Sequence, residues 1–297
     1  VLRQWIFIKE KNLLIFILFA SLVYLFMIQG YPLLWSIYVS MTNQKIGTSG
    51  QFVGLQNYLK LLNQSSFWKA IGFTVIYTGS AIIIKLLLGL LMALTLNQPL
   101  KGKNLYRALL FLPWALPTLT SVLAWRWMLG DVGGVVNYAL LKLNMIDRPL
   151  GWLGDPLLAK ISVILVNVWR GTPFFGISIL AALQAIPKYL YEAATIDGAS
   201  GWQNFCWITL PSIKSVTILV SLVSTIWTLA DFEIIWIMTR GGPADATHVF
   251  STWSYIIAFK NLDIAKGVAI SLFIVPFSLL LMVLTLRFVF YKAGEFE

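Results

Sequence analysis

Two clusters of polar and aromatic residues sit inside strongly apolar stretches of this 297-residue chain. The first is Asn167-Val-Trp-Arg170-Gly171-Thr-Pro173-Phe174, and the second is Ser224-Thr-Ile-Trp227-Thr228 with Asp231 just after it. Polar groups are costly to place in apolar surroundings, so such positions are the first functional candidates. Their chemistry is that of holding a molecule. Trp and Phe faces cover C–H surfaces, while Asn, Ser and Thr exchange hydrogen bonds with hydroxyls. A polyhydroxylated solute suits these materials. Each residue also has a purely structural reading. Pro173 kinks a helix, Trp227 packs between helices, and Arg170 pairs with Asp231 or Glu233. Bond-making chemistry finds less support. Asp231 and Glu233 are two apart, which on a helix puts them on different faces, so no catalytic residue is assigned and a membrane-embedded enzyme lacks a convergent acid/base set. Cys206 and His248 are the single cysteine and histidine. They support neither a disulfide within this sequence nor a Cys/His metal site. Cys206 reads as a small apolar filler and His248 as a solvated loop residue without a role.

The elements that carry these clusters are membrane spans. Hydrophobic residues make up 59% of the chain and charged residues 11%, against about 25% charged in a soluble domain. The mean hydropathy is +0.80. Six apolar stretches are bounded by charges, near residues 13–38, 70–96, 106–129, 159–183, 213–237 and 267–289. Each holds about 20 helical residues, enough to cross the hydrocarbon core. The expected fold class is therefore an all-α integral membrane protein of six transmembrane helices, forming a single domain over 1–297. The fourth span contains Arg170, and Gly171 and Pro173 are expected to break it, with freed backbone groups facing a cavity. Lys85, inside the second span, reads as a snorkelling or helix-pairing residue. Trp114, Trp125 and Trp127 read as an interfacial belt. Arg3, Lys9 and Lys11 precede the first span, which is too long and lacks the small-residue site of a cleaved signal peptide, so it reads as an uncleaved anchor.

The net charge of +10 lies mostly beside the spans, where it sets topology and meets anionic lipid. No basic patch interleaved with stacking aromatics suggests nucleic acid. With both ends inside, the inner segments hold ten Lys/Arg and the longer outer ones nine, a modest positive-inside signal. The outer segments carry turn chemistry at Gly54, at Gly130 to Gly134 and at Gly241-Gly-Pro243.

One polar loop, 186–211, has its own organisation. Pro187 is suited to start a helix, on which Tyr189, Leu190, Ala193 and Ala194 fall to one side. Asp197-Gly198 ends it, with Gly198 suited to a left-handed cap. Ser200 is placed to cap a second short helix carrying Trp202 and Phe205.

The residues Glu192-Ala193-Ala194, Asp197-Gly198-Ala199, Phe205, Ile208, Leu210 and Pro211 resemble, in register, the EAA loop of the membrane subunits of ABC importers. The resemblance extends along the chain. Gly54-Leu-Gln-Asn-Tyr58, Phe111-Leu-Pro-Trp114, Trp125-Arg-Trp127 and Gly241-Gly-Pro243 look like landmarks of carbohydrate-uptake permeases, of the type represented by the larger permease of maltose transporters, here in its compact six-span core. The resemblance implies the type I importer permease fold with a cytoplasmic coupling helix-turn-helix. It implies ATPase coupling through Glu192, Ala193, Ala194, Asp197, Gly198 and Ala199. It also implies substrate contacts at Asn167, Arg170, Gly171 and Phe174, and, counting back from Gly241, at Ser224, Trp227 and Thr228. Arg170 stands where that type has an apolar residue, and Trp227-Thr228 where it has Phe-Asn, which points to a different, smaller or more polar sugar.

That resemblance implies half of a translocation pathway working by alternating access in a bacterial inner or plasma membrane, with both termini cytoplasmic. The expected partners are a second, related permease forming a heterodimer, two ATPase subunits and an extracytoplasmic sugar-binding protein. The sequence contains no Gly-x-x-x-x-Gly-Lys-Ser/Thr loop. The chain is therefore expected not to be an enzyme and to hold no cofactor, with ATP and Mg on the partner ATPase. The competing reading is an ion-coupled secondary carrier using Arg170, Asp231, Glu233 and Lys85; it leaves the motif around Glu192 unexplained.

Overall fold

The computed structural model describes residues 2–99 and 101–293, with side chains for 13–99 and 101–287. The described residues are helical, apart from loops and one isolated bridge between Thr42 and Phe52. Among the described residues, five helices are long and apolar enough to cross a membrane: α1 (Leu13–Ser40), α3 (Ser65–Asn97), α7 (Pro156–Gln184), α9 (Gly201–Leu229) and the stretch Ile264–Arg287. A sixth crossing exists only if the bent pair α4 (Lys103–Ala115) and α5 (Thr118–Met128) counts as one. Short helices α2 (Gln56–Leu62), α6 (Val135–Lys142), α8 (Lys188–Ile196) and α10 (Glu233–Met238) lie between them. The last stretch comprises α11 (Ile264–Leu272) and α12 (Ile274–Ala293). The all-α membrane architecture is thus observed.

The chain forms two compact units by contact, 1–63 with 254–272, and 64–253 with 273–297. In the first, the landmark around Asn57 closes the end of α1. Asn57 Nδ2 donates to the Ser40 and Thr42 carbonyls at 2.8 and 2.6 Å. Helix ends leave such carbonyls without a partner, and a side-chain donor is one way to satisfy them. The Ser40 and Tyr58 hydroxyls bond at 2.8 Å, and Gly54 takes φ +60° in the turn between.

In the second unit, α3 and α7 lie side by side. Small residues permit the close approach. A Cβ on Gly89 would collide with the Phe175 Cβ, and one on Gly176 would stand 2.5 Å from Met92 Sδ. The start of α7 is fixed by Asp155, whose carboxylate accepts from the Leu157 and Leu158 N–H groups at 2.9 Å each, with Pro156 opening the helix. Apolar side chains gather in two clusters. One centres on Phe73, Tyr77, Val163, Val166 and Ile235. The other centres on Ala93, Phe175, Ile179, Leu183 and Ile213.

Several expectations are corrected. The third span, 106–129, is not one helix. Its two halves meet at 91°, because Pro117 removes a donor and forces Leu116 into extended backbone (φ −71°, ψ 142°). The fourth span is not broken. α7 runs on through Pro173, and the proline costs it only the hydrogen bond to the Trp169 carbonyl one turn back. The fifth span ends at Leu229, short of 237, so Asp231 and Glu233 lie beyond it. It also starts early. The second short helix of the 186–211 loop is the first turn of α9, joined through a wide turn over Phe205–Thr209 in which the Leu210 N–H reaches back to the Phe205 carbonyl. That wider turn admits Pro211, which a regular turn would not hold without a clash. His248 is buried, not solvated. Its Nδ1 lies 3.1 Å from Thr252 Oγ1, and its ring packs edge-on to Trp253 and over Gly241, where a Cβ would collide with the imidazole.

Candidate functional site

Between the two apolar clusters of the second unit, α3, α7 and α9 bring polar side chains together. α3 supplies a stripe at four-residue intervals, Tyr77, Ala81, Lys85, Gly89 and Ala93, all buried. Such spacing keeps side chains on one face. Lys85 is only 3% exposed. Its ammonium lies 3.2 Å from Thr228 Oγ1 and 3.4 Å from Ser224 Oγ on α9. Thr228 in turn donates its own proton to the Ser224 carbonyl at 2.7 Å, so its oxygen is left to accept from the lysine.

Just past α9, Asp231 is held from three sides. The Tyr77 hydroxyl donates to its Oδ2 at 2.6 Å, Asn167 Nδ2 donates to the same oxygen at 3.0 Å, and the Ile234 N–H donates to Oδ1 at 3.3 Å. Asn167 Nδ2 also donates to the Tyr77 oxygen at 2.8 Å. The Ser251 hydroxyl anchors the Asp231 backbone carbonyl at 2.6 Å. Asp231 is half-buried, and a carboxylate drawn out of water needs such partners, because desolvation without them is unfavourable.

Lys85, Asn167, Ser224, Thr228 and Asp231 line a cavity of about 420 Å³, within the range of small-molecule sites. All seven residues named from the sequence, Asn167, Arg170, Gly171, Phe174, Ser224, Trp227 and Thr228, are in its lining. The lining divides by chemistry. Trp114 stacks on Phe174 with ring centroids 6.5 Å apart and planes 13° from parallel. Trp227 tilts against Phe174 at 5.0 Å and remains 53% exposed. The polar part comprises Lys85, Asn167, Ser224, Thr228 and Asp231. Two buried polar atoms of the lining residues, Asn167 Oδ1 and Arg170 Nε, have no partner among the described residues.

Arg170 makes no ion pair with Asp231 or Glu233 within 4.0 Å among the described residues. The structural pairing expected of it is therefore absent; Asp231 is satisfied by Tyr77 and Asn167 instead. Trp114, expected in an interfacial belt, lines the cavity and stacks on Phe174. Among the lining residues, Lys85, Trp114 and Asp231 were not assigned by sequence reasoning, nor was Tyr77, which lies outside the lining and holds Asp231. The four-residue stripe in α3 could have pointed to two of them.

The 186–211 loop forms a separate, exposed feature. Glu192, Ala193, Asp197 and Gly198 are exposed, and Ala194 and Ala199 half-buried. The inner side of α8 is Leu190, Tyr191 and Ala194, while Tyr189 and Ala193 face outward, so the side expected from spacing is rotated. Gly198 takes φ +80°. The Ala199 N–H returns to the Ala194 carbonyl at 2.9 Å and closes the helix. Ser200 and Gln203 form a reciprocal capping box, and Trp202 stacks on Phe205 with centroids 5.6 Å apart.

Over residues 85–290 the chain matches the family described as binding-protein-dependent transport system inner membrane component. The chain belongs to that family. The permease is 39% identical over 247 residues to the trehalose/maltose transport system permease protein MalF of Thermococcus litoralis, covering 83% of this chain and 81% of that protein. It is 35% identical over 279 residues to the lactose transport system permease protein LacF of Rhizobium radiobacter, covering 93% and 91%. Its fold is similar to that of a chain in the crystal structure of a bacterial ABC transporter involved in the import of the acidic polysaccharide alginate. The TM-score is 0.81 at 23% identity, covering 97% of this chain and 98% of the other. The permease is thus a multi-span membrane component of a transport system. The ion-coupled carrier reading through Arg170, Asp231 and Glu233 is left without support.

Proposed function

We propose that this permease forms half of the translocation pathway of an ATP-driven importer for a sugar. The observation that carries the reading is the cavity itself. An aromatic surface of Trp114, Phe174 and Trp227 and a polar set of Asn167, Ser224, Thr228, Lys85 and Asp231 share one lining, which suits a solute with C–H faces and hydroxyl edges. Relatives named for trehalose, maltose and lactose transport agree with it. Asn167, Arg170, Gly171, Phe174, Ser224, Trp227 and Thr228 line the sugar path. Glu192 to Ala199 form the docking knob for an ATPase. A second permease pairs with this one as a heterodimer, two ATPases hold ATP and Mg, and an extracytoplasmic binding protein delivers the sugar. Expressed with the genes beside its own, the tagged chain is expected to co-purify with a second permease and an ATPase. Recovery only of homo-oligomers free of ATPase would count against the assembly.

The orientation is both termini and the 186–211 loop cytoplasmic. Cys206, the single cysteine, is partly accessible in that loop and reports it directly. A membrane-impermeant maleimide should label Cys206 in inside-out vesicles and leave it unlabelled in intact right-side-out ones. The reverse pattern would invert the topology.

A further inference from the structure

We propose that Lys85 and Asp231 are specificity-determining residues of the cavity, an opposite-charge pair held apart by uncharged partners so that it reads two hydroxyls of an uncharged solute. The inference deepens the sugar reading above and rests on it.

Lys85 is buried with no carboxylate within 4.0 Å among the described residues. Two hydroxyls, of Ser224 and Thr228, accept from its ammonium at 3.4 and 3.2 Å. An ammonium has three donors, so one is left beyond these contacts. Asp231 carries the opposite charge in the same lining. Opposite charges in a poorly polarisable interior attract strongly, yet these two do not close on each other. Tyr77 and Asn167 hold the carboxylate, and Ser224 and Thr228 hold the ammonium. The result is a fixed donor and a fixed acceptor facing one cavity. A polyhydroxylated solute meets both: one hydroxyl oxygen accepts from Lys85, and another hydroxyl donates to Asp231. A lone carboxylate or ammonium on the solute would satisfy one charge and oppose the other.

The charges of the whole lining agree. Lys85 and Arg170 are cationic, Asp231 and Glu233 anionic, so the formal sum is zero. An uncharged solute leaves that balance undisturbed, whereas an anionic one adds an uncompensated charge in a place where this is costly.

Gly171 gives the independent geometric support. A Cβ there would stand 2.7 Å from Lys85 Cε, 2.9 Å from Cδ and 3.0 Å from Nζ. The end of the lysine side chain therefore lies against the face of α7 at Gly171, where a methyl group would push it aside. Gly171 serves the site by seating Lys85, and its effect on the solute passes through that side chain.

The test uses the assembled importer in proteoliposomes, with maltose, trehalose and lactose as probes and lactobionate as the carboxylate-bearing counterpart of lactose. Lys85→Met and Asp231→Asn should each lower sugar moved per ATP hydrolysed at least tenfold. Binding-protein-stimulated ATPase should stay within about twofold of wild type, a split that a general packing defect would not produce. Gly171→Ala should match Lys85→Met, and the double variant should be no worse than either single one. Lys85→Arg should recover part of the loss. Wild type should exclude lactobionate. Where Lys85→Met does not assemble, Asp231→Asn and Gly171→Ala carry the same comparison. Unchanged sugar-to-ATP ratios, or lactobionate moved as well as the neutral sugars, would overturn the inference and leave the sugar reading standing. Failure of wild type to move any of the three sugars would overturn the sugar reading, and the inference with it.

Discussion

Replacing Gly198 with valine is expected to uncouple ATP hydrolysis from transport while the spans still insert. Gly198 sits at φ +80°, a conformation that costs an L-residue about 1–2 kcal/mol and a β-branched one more. A Cβ there would meet nothing within 4 Å, so the penalty is one of backbone conformation and not of crowding. Valine therefore displaces the turn without disturbing a packed core. The turn joins α8 to the capping box of Ser200 and Gln203. Once it shifts, the exposed residues Glu192 to Asp197 no longer present one rigid surface to an ATPase. Sugar-stimulated ATPase activity should fall at least tenfold or the ATPase should dissociate. Gly198→Asn, which tolerates the left-handed conformation, should keep most of the activity. Wild-type coupling in the valine variant would show that this turn is not the coupling element.

Trp227→Ala should have the second large effect, on the other side of the mechanism. Trp227 is 53% exposed although it lies in the cavity lining, so about half of it is free of packing within the chain. Among the described residues its ring contact is with Phe174 at 5.0 Å. Removing the ring takes away an aromatic contact worth about 0.5–1.5 kcal/mol beyond the area it covers, or roughly 2- to 12-fold in affinity. Uptake should drop by that order with ATPase docking and basal hydrolysis intact. Asn167→Ala should also impair uptake through a different route, since it releases Asp231 and the Tyr77 hydroxyl. If Trp227→Ala transports at the wild-type rate, the ring is a helix-packing residue and the sugar path lies elsewhere.

Much of this was legible in residue types and spacings, and the parts that were not have physical causes. The spans could be located because charges bound them, and the knob because Gly198 and Ser200 have strong local preferences that nothing distant overrides. The seven lining residues came from a resemblance and from the oddity of polar groups within apolar runs. What spacing does not carry is where a helix bends and which distant groups meet. Pro117 folds the third span back by 91°, whereas Pro173, flanked by the buried Val168 and Phe175, leaves α7 continuous. Both are prolines in apolar sequence, and only their packing separates them. Tyr77 and Asp231 are 154 residues apart, so no local pattern joins them. Lys85 was visible as a charge within a span, but its seat depends on Gly171 across a helix interface. His248 was misjudged for the same reason: its burial comes from Gly241, Thr252 and Trp253 folding around it.

The most direct test of the central claim is uptake by the purified importer, reconstituted with its partner permease, ATPases and binding protein, with ATP enclosed or withheld. Radiolabelled sugars that the binding protein carries should be offered in turn, with and without an imposed proton or sodium gradient. At least one sugar should accumulate only when ATP is inside, whatever the gradient, and this chain alone in liposomes should move none. Accumulation driven by an ion gradient without ATP, or by the isolated chain, would contradict the account.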